Sequence, residues 1–227
     1  MPAYQVVVRE KVIQQDMYYK NQIIMKYTIK YPQFTSAHDQ VFLDKLNSFY
    51  RTRAIMYERS NLMSLYQMAM VEYEYSIANG FPVRQFEAYV EYQVTYNQDC
   101  ALSLYFDQYE YAGGAHGLTI RYSDSWNLRK SKKIELMDLY PPRSNLKETL
   151  IGIIIGQLEA SYNPENSVVF SDYAKLVRET LKVNNFYLMP EGVVIYFQEY
   201  DIAPYSSGLP TFVIPYSSQG PIAPKCI

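Results

Sequence analysis

The chain holds two histidines, His38 and His116, and two cysteines, Cys100 and Cys226. These few residues limit its chemistry. No His-Glu-x-x-His and no Cys-x-x-Cys pair is present, so no dedicated zinc site is expected. Neither a Gly-x-Ser-x-Gly elbow nor a Walker A loop occurs. The run Gly113-Gly114-Ala115-His116-Gly117 does not have dinucleotide-loop spacing. No cofactor is implied.

His116 is the one attractive general base. It sits in Tyr111-Ala-Gly-Gly-Ala-His-Gly117, where backbone N–H groups can face a ligand. Asp107, Glu110 and Asp124 are candidate acids to orient it. The competing reading is architectural: the glycines permit a tight bend and His116 hydrogen-bonds locally to fix it. No nucleophile accompanies the histidine in its segment, which favours that second reading. His38 reads as a surface or capping-region residue near a helix start. Carboxylate pairs such as Glu72/Glu74 and Glu87/Glu91 face solvent by periodicity; a glycosidase needs two that converge at roughly 5–9 Å.

A second dense stretch runs from Asn185 to Tyr216. There Tyr196, Tyr200, Tyr205 and Tyr216 accompany Pro204, Pro210, Pro215 and Gly208. Glu199-Tyr-Asp-Ile-Ala-Pro-Tyr205 reads as a rigid connection between strands. It either presents aromatic anchors to a partner or forms core plus a stiff turn. The chain has 25 tyrosines, most of which suit half-buried strand and helix-shoulder positions. The basic run Arg129-Lys130-Ser131-Lys132-Lys133 reads as a solvated hairpin turn, with a small anion-binding patch as the alternative.

Bulk properties narrow the classes further. The 227 residues make one large domain or two small ones, and the 48% hydrophobic content suffices for a core without metal or disulfide. A net charge of −2 without a basic stripe argues against nucleic acid. No signal peptide or membrane anchor is visible, because no apolar run approaches the roughly 20 residues a span needs. Two cysteines so far apart imply no disulfide framework, and both redox compartments stay open. Gly152 and Gly156 form a GxxxG, which outside a membrane is close-packing chemistry at most.

The elements that must hold these residues follow from periodicity. Tyr4–Gln14 and Ile23–Tyr31 form a first hairpin, ended by Pro32. A helix follows, entered through a capping box of Ser36 and Asp39 and extending to Ala78, with Asn79-Gly80 as its stop. A straight helix of that length would be roughly 65 Å long, so a break or bend is expected near Ser60-Asn61. Phe86 to Tyr96 is the clearest alternating strand. Asn97-Gln98-Asp99 turns it into a return strand from Cys100 to Glu110. Leu118–Asn127 is the next strand, and Lys132–Leu136 leads to a Pro141-Pro142 stop. Two helices follow, one entered through Ser144 with Leu146 to Leu158 on its apolar face, the other Phe170–Lys182. Asn185–Met189 and Val193–Gln198 pair through Pro190-Glu191-Gly192, in the order type II turns favour. Thr211–Ile214 is a last short strand.

The expected fold is α+β, in two closely packed parts, each a small antiparallel sheet with helices on one face. The parts are 1–112 and 113–217, joined near the glycine segment, with 218–227 as a loose tail.

Tyr111 to Gly117, Ile134-Glu-Leu-Met-Asp-Leu139 and Asn185 to Tyr216 together resemble a bacterial family called domain of unknown function 3298. Tyr31-Pro32 after a strand, and Asn47 within the next helix, resemble its companion, domain of unknown function 4163. The resemblance covers nearly the whole chain. It implies an extracytoplasmic pair of domains, as in lysozyme-sensing anti-sigma factors and ahead of peptidoglycan deacetylases. It thus implies recognition of lysozyme or of peptidoglycan fragments. This chain lacks a sigma-binding segment and the deacetylase metal motif. The reading is a non-catalytic binding module whose candidate residues are Tyr111, Gly113, Gly114, His116, Gly117, Tyr200 and Tyr205. The alternatives are a glycan hydrolase using His116 with nearby carboxylates, or a structural accessory domain.

Overall fold

The computed structural model describes residues 5–37, 40–142, 145–161, 168–217 and 220–226. His38, Asp39 and Ser144 lie outside them, and so do the expected Ser36/Asp39 capping box and the Ser144 helix entry. The architecture is α+β, as expected. A six-stranded sheet has the order β1 (Val7–Tyr19), β2 (Gln22–Thr35), β3 (Phe86–Gln98), β4 (Ala101–Tyr111), β5 (Leu118–Asn127), β6 (Lys132–Lys133), and a second sheet has the order β7 (Phe186–Met189), β8 (Gly192–Tyr196), β9 (Thr211–Pro215).

β1 (Val7–Tyr19) and β2 (Gln22–Thr35) form a long hairpin. Its two-residue turn, Lys20-Asn21, has positive φ at both positions (46° and 64°), which matches the twist of the flanking strands. Ile24, Met25, Tyr27, Ile29 and Phe34 of β2 are buried. Pro32 does not end the strand: it pairs with Glu10 within β2. The β3 pairing of β2 stops at Ile29, so Pro32 has one strand neighbour and its missing N–H costs no second ladder bond. The β2–β3 pairing is parallel, over Met25–Ile29 and Phe86–Val90, which requires a long crossover.

Helices supply that crossover: α1 (Gln40–Tyr57), a π-helical turn (Glu58–Leu62) and α2 (Met63–Asn79). Gly80 ends α2 at φ 67°, the left-handed cap expected of Asn79-Gly80. The expected break near Ser60-Asn61 is the π turn. Buried residues run Leu43, Leu46, Tyr50, Ala54, Tyr57, then Leu62, Leu65 and Ala69. Every step is three or four residues except Tyr57 to Leu62, which is five. One extra residue per turn is what a π turn accommodates, and it keeps both helices on the same buried face. Asn47 has a plain role here: its side-chain amide exchanges two hydrogen bonds with the Phe34 backbone, at 2.7 and 2.9 Å.

β3 (Phe86–Gln98) and β4 (Ala101–Tyr111) are joined by Asp99-Cys100, both at positive φ (51° and 58°). The turn thus sits one residue later than expected. β5 (Leu118–Asn127) has the expected bounds, and the short β6 is Lys132–Lys133. A short 3-10 turn (Leu136–Leu139) follows; Asp138 caps it by accepting from the Glu135 N–H at 3.1 Å. Next come α3 (Leu146–Ser161) and α4 (Tyr173–Thr180). β7 (Phe186–Met189), β8 (Gly192–Tyr196) and β9 (Thr211–Pro215) form the antiparallel second sheet.

Gly192 has no positive φ, so the β7–β8 turn is not type II. Gly192 is needed for a different reason: a Cβ there would lie 2.3 Å from the Ile214 carbonyl oxygen. The GxxxG of α3 is not a packing motif either. A Cβ on Gly152 or Gly156 would meet nothing within 4 Å.

The chain forms two compact units. One comprises Val6–Tyr92 with Phe106–Ile120; the other comprises Gln93–Tyr105 with Arg121–Ile227 and the first five residues. Strands β3, β4 and β5 contribute residues to both, so the division is interleaved and not a single cut. The tail expected to be loose is tied down over 220–226. Ile222 N–H donates to the Leu139 carbonyl at 2.6 Å, and Cys226 is disulfide-bonded to Cys100, 126 residues away. A disulfide between such distant cysteines depends on the fold bringing the β3–β4 turn to the C-terminus, which spacing does not reveal.

Candidate functional site

The link between β4 and β5 carries the glycine segment. Gly113 has φ 82°, and a Cβ there would press within 3.2 Å of the Phe86 ring. The Arg84 guanidinium donates to the Gly113 carbonyl, and Tyr111 donates its hydroxyl proton to the Gly114 carbonyl at 3.1 Å. Gly117 is the tightest position. A Cβ there would stand 2.3 Å from the Tyr109 ring and 2.6 Å from the Glu110 carbonyl oxygen. His116 is exposed, and its Nδ1 lies 2.8 Å from the Gly117 carbonyl oxygen. A carbonyl only accepts, so Nδ1 carries the proton.

The acids proposed to orient His116 have other partners. Glu110 accepts from the Tyr57 hydroxyl at 2.7 Å and from Gln108 at 3.1 Å. Asp124 is buried and ion-paired with Lys133 at 2.8 Å. Other candidate carboxylates are held in surface pairs. Glu74 meets Lys20 at 2.6 Å and Tyr19 at 2.7 Å, and the hydrogen bond from Lys20 holds its carboxyl below the usual range. Glu91 meets Lys30 at 3.0 Å.

The bend after β8 is braced differently. Gln198 continues the strand with its side chain: its amide donates to the Arg121 carbonyl at 2.6 Å and accepts from the Arg121 N–H at 2.9 Å. Asp201 accepts from the Gln198 N–H at 2.8 Å, and burial pushes its carboxyl above the usual range. Ile202 and Ala203 are fully buried anchors. Between these fixed points Tyr200 sits at φ 66°, a region that a bulky residue seldom adopts. Its side chain is 48% exposed and stacks on Tyr205, with ring centroids 6.5 Å apart.

Sequence reasoning missed an aromatic layer beside this bend. The Arg121 guanidinium lies 3.8 Å from the Tyr105 ring centroid and 5.9 Å from that of Tyr196. Tyr105 contacts Tyr187 at 5.0 Å, and Tyr187 stacks on Tyr196 at 6.1 Å. Below it, Ser103 and Ser125 bond at 2.8 Å, and Ser103 also accepts from the Leu188 N–H. The signal is available: Ser103 and Tyr105 on β4, and Arg121, Ser123 and Ser125 on β5, alternate onto one face.

The basic run forms the β5–β6 turn, with Ser131 at φ 50°. Lys132 pairs with Asp138 at 3.5 Å. A cleft of about 260 Å³ lies here, lined by Lys130, Lys132 and Lys225 with Asp138 and Ile222.

The fold and the two dense segments can now be set against known proteins. Residues 137–217 match the family model described as a protein of unknown function (DUF3298). Residues 19–119 match the model described as deacetylase PdaC. The two matches follow one another along the chain, the PdaC-type match first and the DUF3298 match second. A solved DUF3298 family member from Bacteroides fragilis is similar over 94% of this chain and 92% of its own, with TM-score 0.71 and 19% identity. A DUF3298 family protein from Pseudomonas aeruginosa covers 93% of this chain and 90% of its own, with TM-score 0.58 and 19% identity. At that identity the likeness establishes the fold. No curated protein matches the chain.

Proposed function

We propose that this chain is a non-catalytic recognition module of the cell-envelope sensor type, binding a lysozyme-like protein or a cell-wall glycan. The observation that carries this reading is the stacked Tyr200–Tyr205 pair, on a bend braced by the Gln198–Asp201 hydrogen bond and by buried Ile202 and Ala203. Rigid, exposed aromatics are the side chains that most often anchor a partner. Backbone strain at an exposed aromatic supports a contact role, because strain persists where the surroundings over-determine it. His116 and Tyr111 form the second candidate contact, with Gly113, Gly114 and Gly117 as their scaffold.

The Cys100–Cys226 disulfide supports placement in an oxidising compartment. Purified native protein is expected to show no titratable thiol until denatured and reduced. The PdaC-type region bears a deacetylase's name. Among the described residues no three His, Cys, Asp or Glu side chains converge to hold a metal ion.

Gel filtration with lysozyme, and separately with soluble peptidoglycan fragments, tests the proposal. Co-elution with one of them and unchanged glycan masses are expected. Shortened or deacetylated glycan products would overturn it in favour of an enzyme.

A further inference from the structure

The cleft at the β5–β6 turn is built from segments that meet only in the fold, and it shares no lining residue with the aromatic bend. The turn supplies Asn127, Lys130 and Lys132 to its lining, and the C-terminal segment supplies Ile222, Pro224 and Lys225. Cys100 fastens both. Its carbonyl accepts the Leu128 N–H at 2.8 Å, which holds the turn, and its sulfur is bonded to Cys226, which holds the segment. The Ile222 N–H also donates to the Leu139 carbonyl at 2.6 Å, and the Arg129 guanidinium donates to the Cys226 carbonyl at 3.3 Å. A terminal segment stays ordered where it is tied down. This one is tied at Ile222 and again at Cys226, and the ties enclose a cleft of about 260 Å³.

The cations of the lining are not all spent. Lys132 pairs with Asp138 at 3.5 Å, and Asp138 also caps the following turn through the Glu135 N–H at 3.1 Å. Lys130 and Lys225 have no ion-pair partner among the described residues. Asn127 adds a neutral donor. Its Oδ1 accepts the Lys130 N–H at 2.8 Å, so the NH2 end of the amide is the one left to donate. The lining therefore offers three ammonium groups against one carboxylate, an amide donor, and apolar surface from Ile222 and Pro224.

The positive charge that remains matches a phosphomonoester, which carries about −1.5 to −2 at neutral pH, better than it matches a single carboxylate. Lysine grips such a group as a point charge. The volume falls just below the roughly 300–1,000 Å³ of pockets for drug-sized ligands, so the ligand is small. We propose that this cleft binds a small soluble phosphomonoester, with its phosphate on Lys130, Lys225 and the Asn127 amide and its organic group against Ile222 and Pro224.

Calorimetric titration of phenyl phosphate into the full chain, with its disulfide intact, provides the test. One saturable site is expected. Inorganic phosphate should bind about tenfold more weakly for want of the apolar contact, and benzoate about tenfold more weakly for want of the second charge. Lys130→Ala combined with Lys225→Ala should remove the heat and leave the thermal melt in place. Lys175→Ala removes a cation outside the cleft and should change nothing. Cys100→Ser combined with Cys226→Ser should weaken binding by releasing the C-terminal wall; were that variant to unfold, the lysine pair would still decide the matter. Tyr200→Asn should bind phenyl phosphate as the wild type does, so this site and the aromatic bend fail separately. No saturable heat with phenyl phosphate overturns the proposal. So does equal binding of benzoate or of inorganic phosphate, or unchanged affinity without Lys130 and Lys225, or an equal loss in Lys175→Ala. Pelleting with phosphatidate vesicles would move the phosphomonoester to a lipid and overturn the soluble-ligand assignment.

Discussion

The link between β4 and β5 and the bend after β8 are both short and rich in residues that break regular structure, but they use those residues in opposite ways. In the link, the unusual positions face inward. Gly117 exists because Tyr109 and the Glu110 carbonyl leave no room for a Cβ, and Gly113 lets the chain pass the Phe86 ring. His116 directs Nδ1 to the neighbouring carbonyl. In the bend, the unusual position faces outward. Tyr200 adopts a left-handed φ without being glycine, and its ring stays exposed against Tyr205. Tight packing explains the first region without a ligand. The second keeps an aromatic in the left-handed region that is 48% exposed and stacked on Tyr205, and the binding proposal therefore rests on the bend.

Substitutions can break or sharpen this contrast. The largest effect is expected at Gly117→Ala, where a methyl group meets backbone as well as ring. A loss of about 3 kcal/mol in denaturant unfolding is expected, at the upper end of overpacking costs. An unchanged midpoint would show that the link is not packed as described. Gly156→Ala is the matching control. Its Cβ meets nothing within 4 Å, so replacing a mid-helix glycine should stabilise by about 0.5–1 kcal/mol.

Tyr200→Asn should shift stability by less than about 0.5 kcal/mol, because Asn tolerates the left-handed region, yet it should abolish partner binding. If it destabilises strongly instead, the ring is core and not contact surface.

The smallest effect is a pH dependence at Asp201. Burial raises its folded-state pKa above the ordinary value of 3.8, with the Gln198 N–H and Lys182 opposing. The stability linked to its protonated form is complete below that ordinary value. It is lost as pH rises through the folded-state pKa. Asp201→Asn can still accept the Gln198 N–H bond, so the variant should gain on the wild type as pH rises from below 3.8 through the folded-state pKa. Parallel melting curves over that range would contradict the assignment.

Much of the scaffold was legible because it depends on local periodicity. The alternation from Phe86 to Tyr96 marked β3, and the Asn79-Gly80 stop marked the end of α2. The excessive helix length located the irregularity at Ser60-Asn61, although only the buried rows reveal it as one inserted residue. What stayed hidden depends on contacts between distant segments. At Gly117 the architectural reading was favoured, with a ligand contact as the alternative, but the Tyr109 ring and Glu110 carbonyl that leave no room for a Cβ could not be placed. The GxxxG of α3 looked packed and is open. Pro32 looked terminal because the end of the β3 pairing was unknown. The layer of Arg121, Tyr105, Tyr187 and Tyr196 assembles from four strands, and no single stretch of sequence contains it.

The central claim is that the aromatic bend, and not the histidine link, makes the partner contact. Calorimetric titration of lysozyme and of soluble peptidoglycan fragments into the wild type, Tyr200→Asn and His116→Ala tests it most directly. The account predicts heat with one ligand for the wild type, a loss of at least tenfold in affinity for Tyr200→Asn, and near-wild-type affinity for His116→Ala. No heat with either ligand, or binding lost in His116→Ala and retained in Tyr200→Asn, would contradict it.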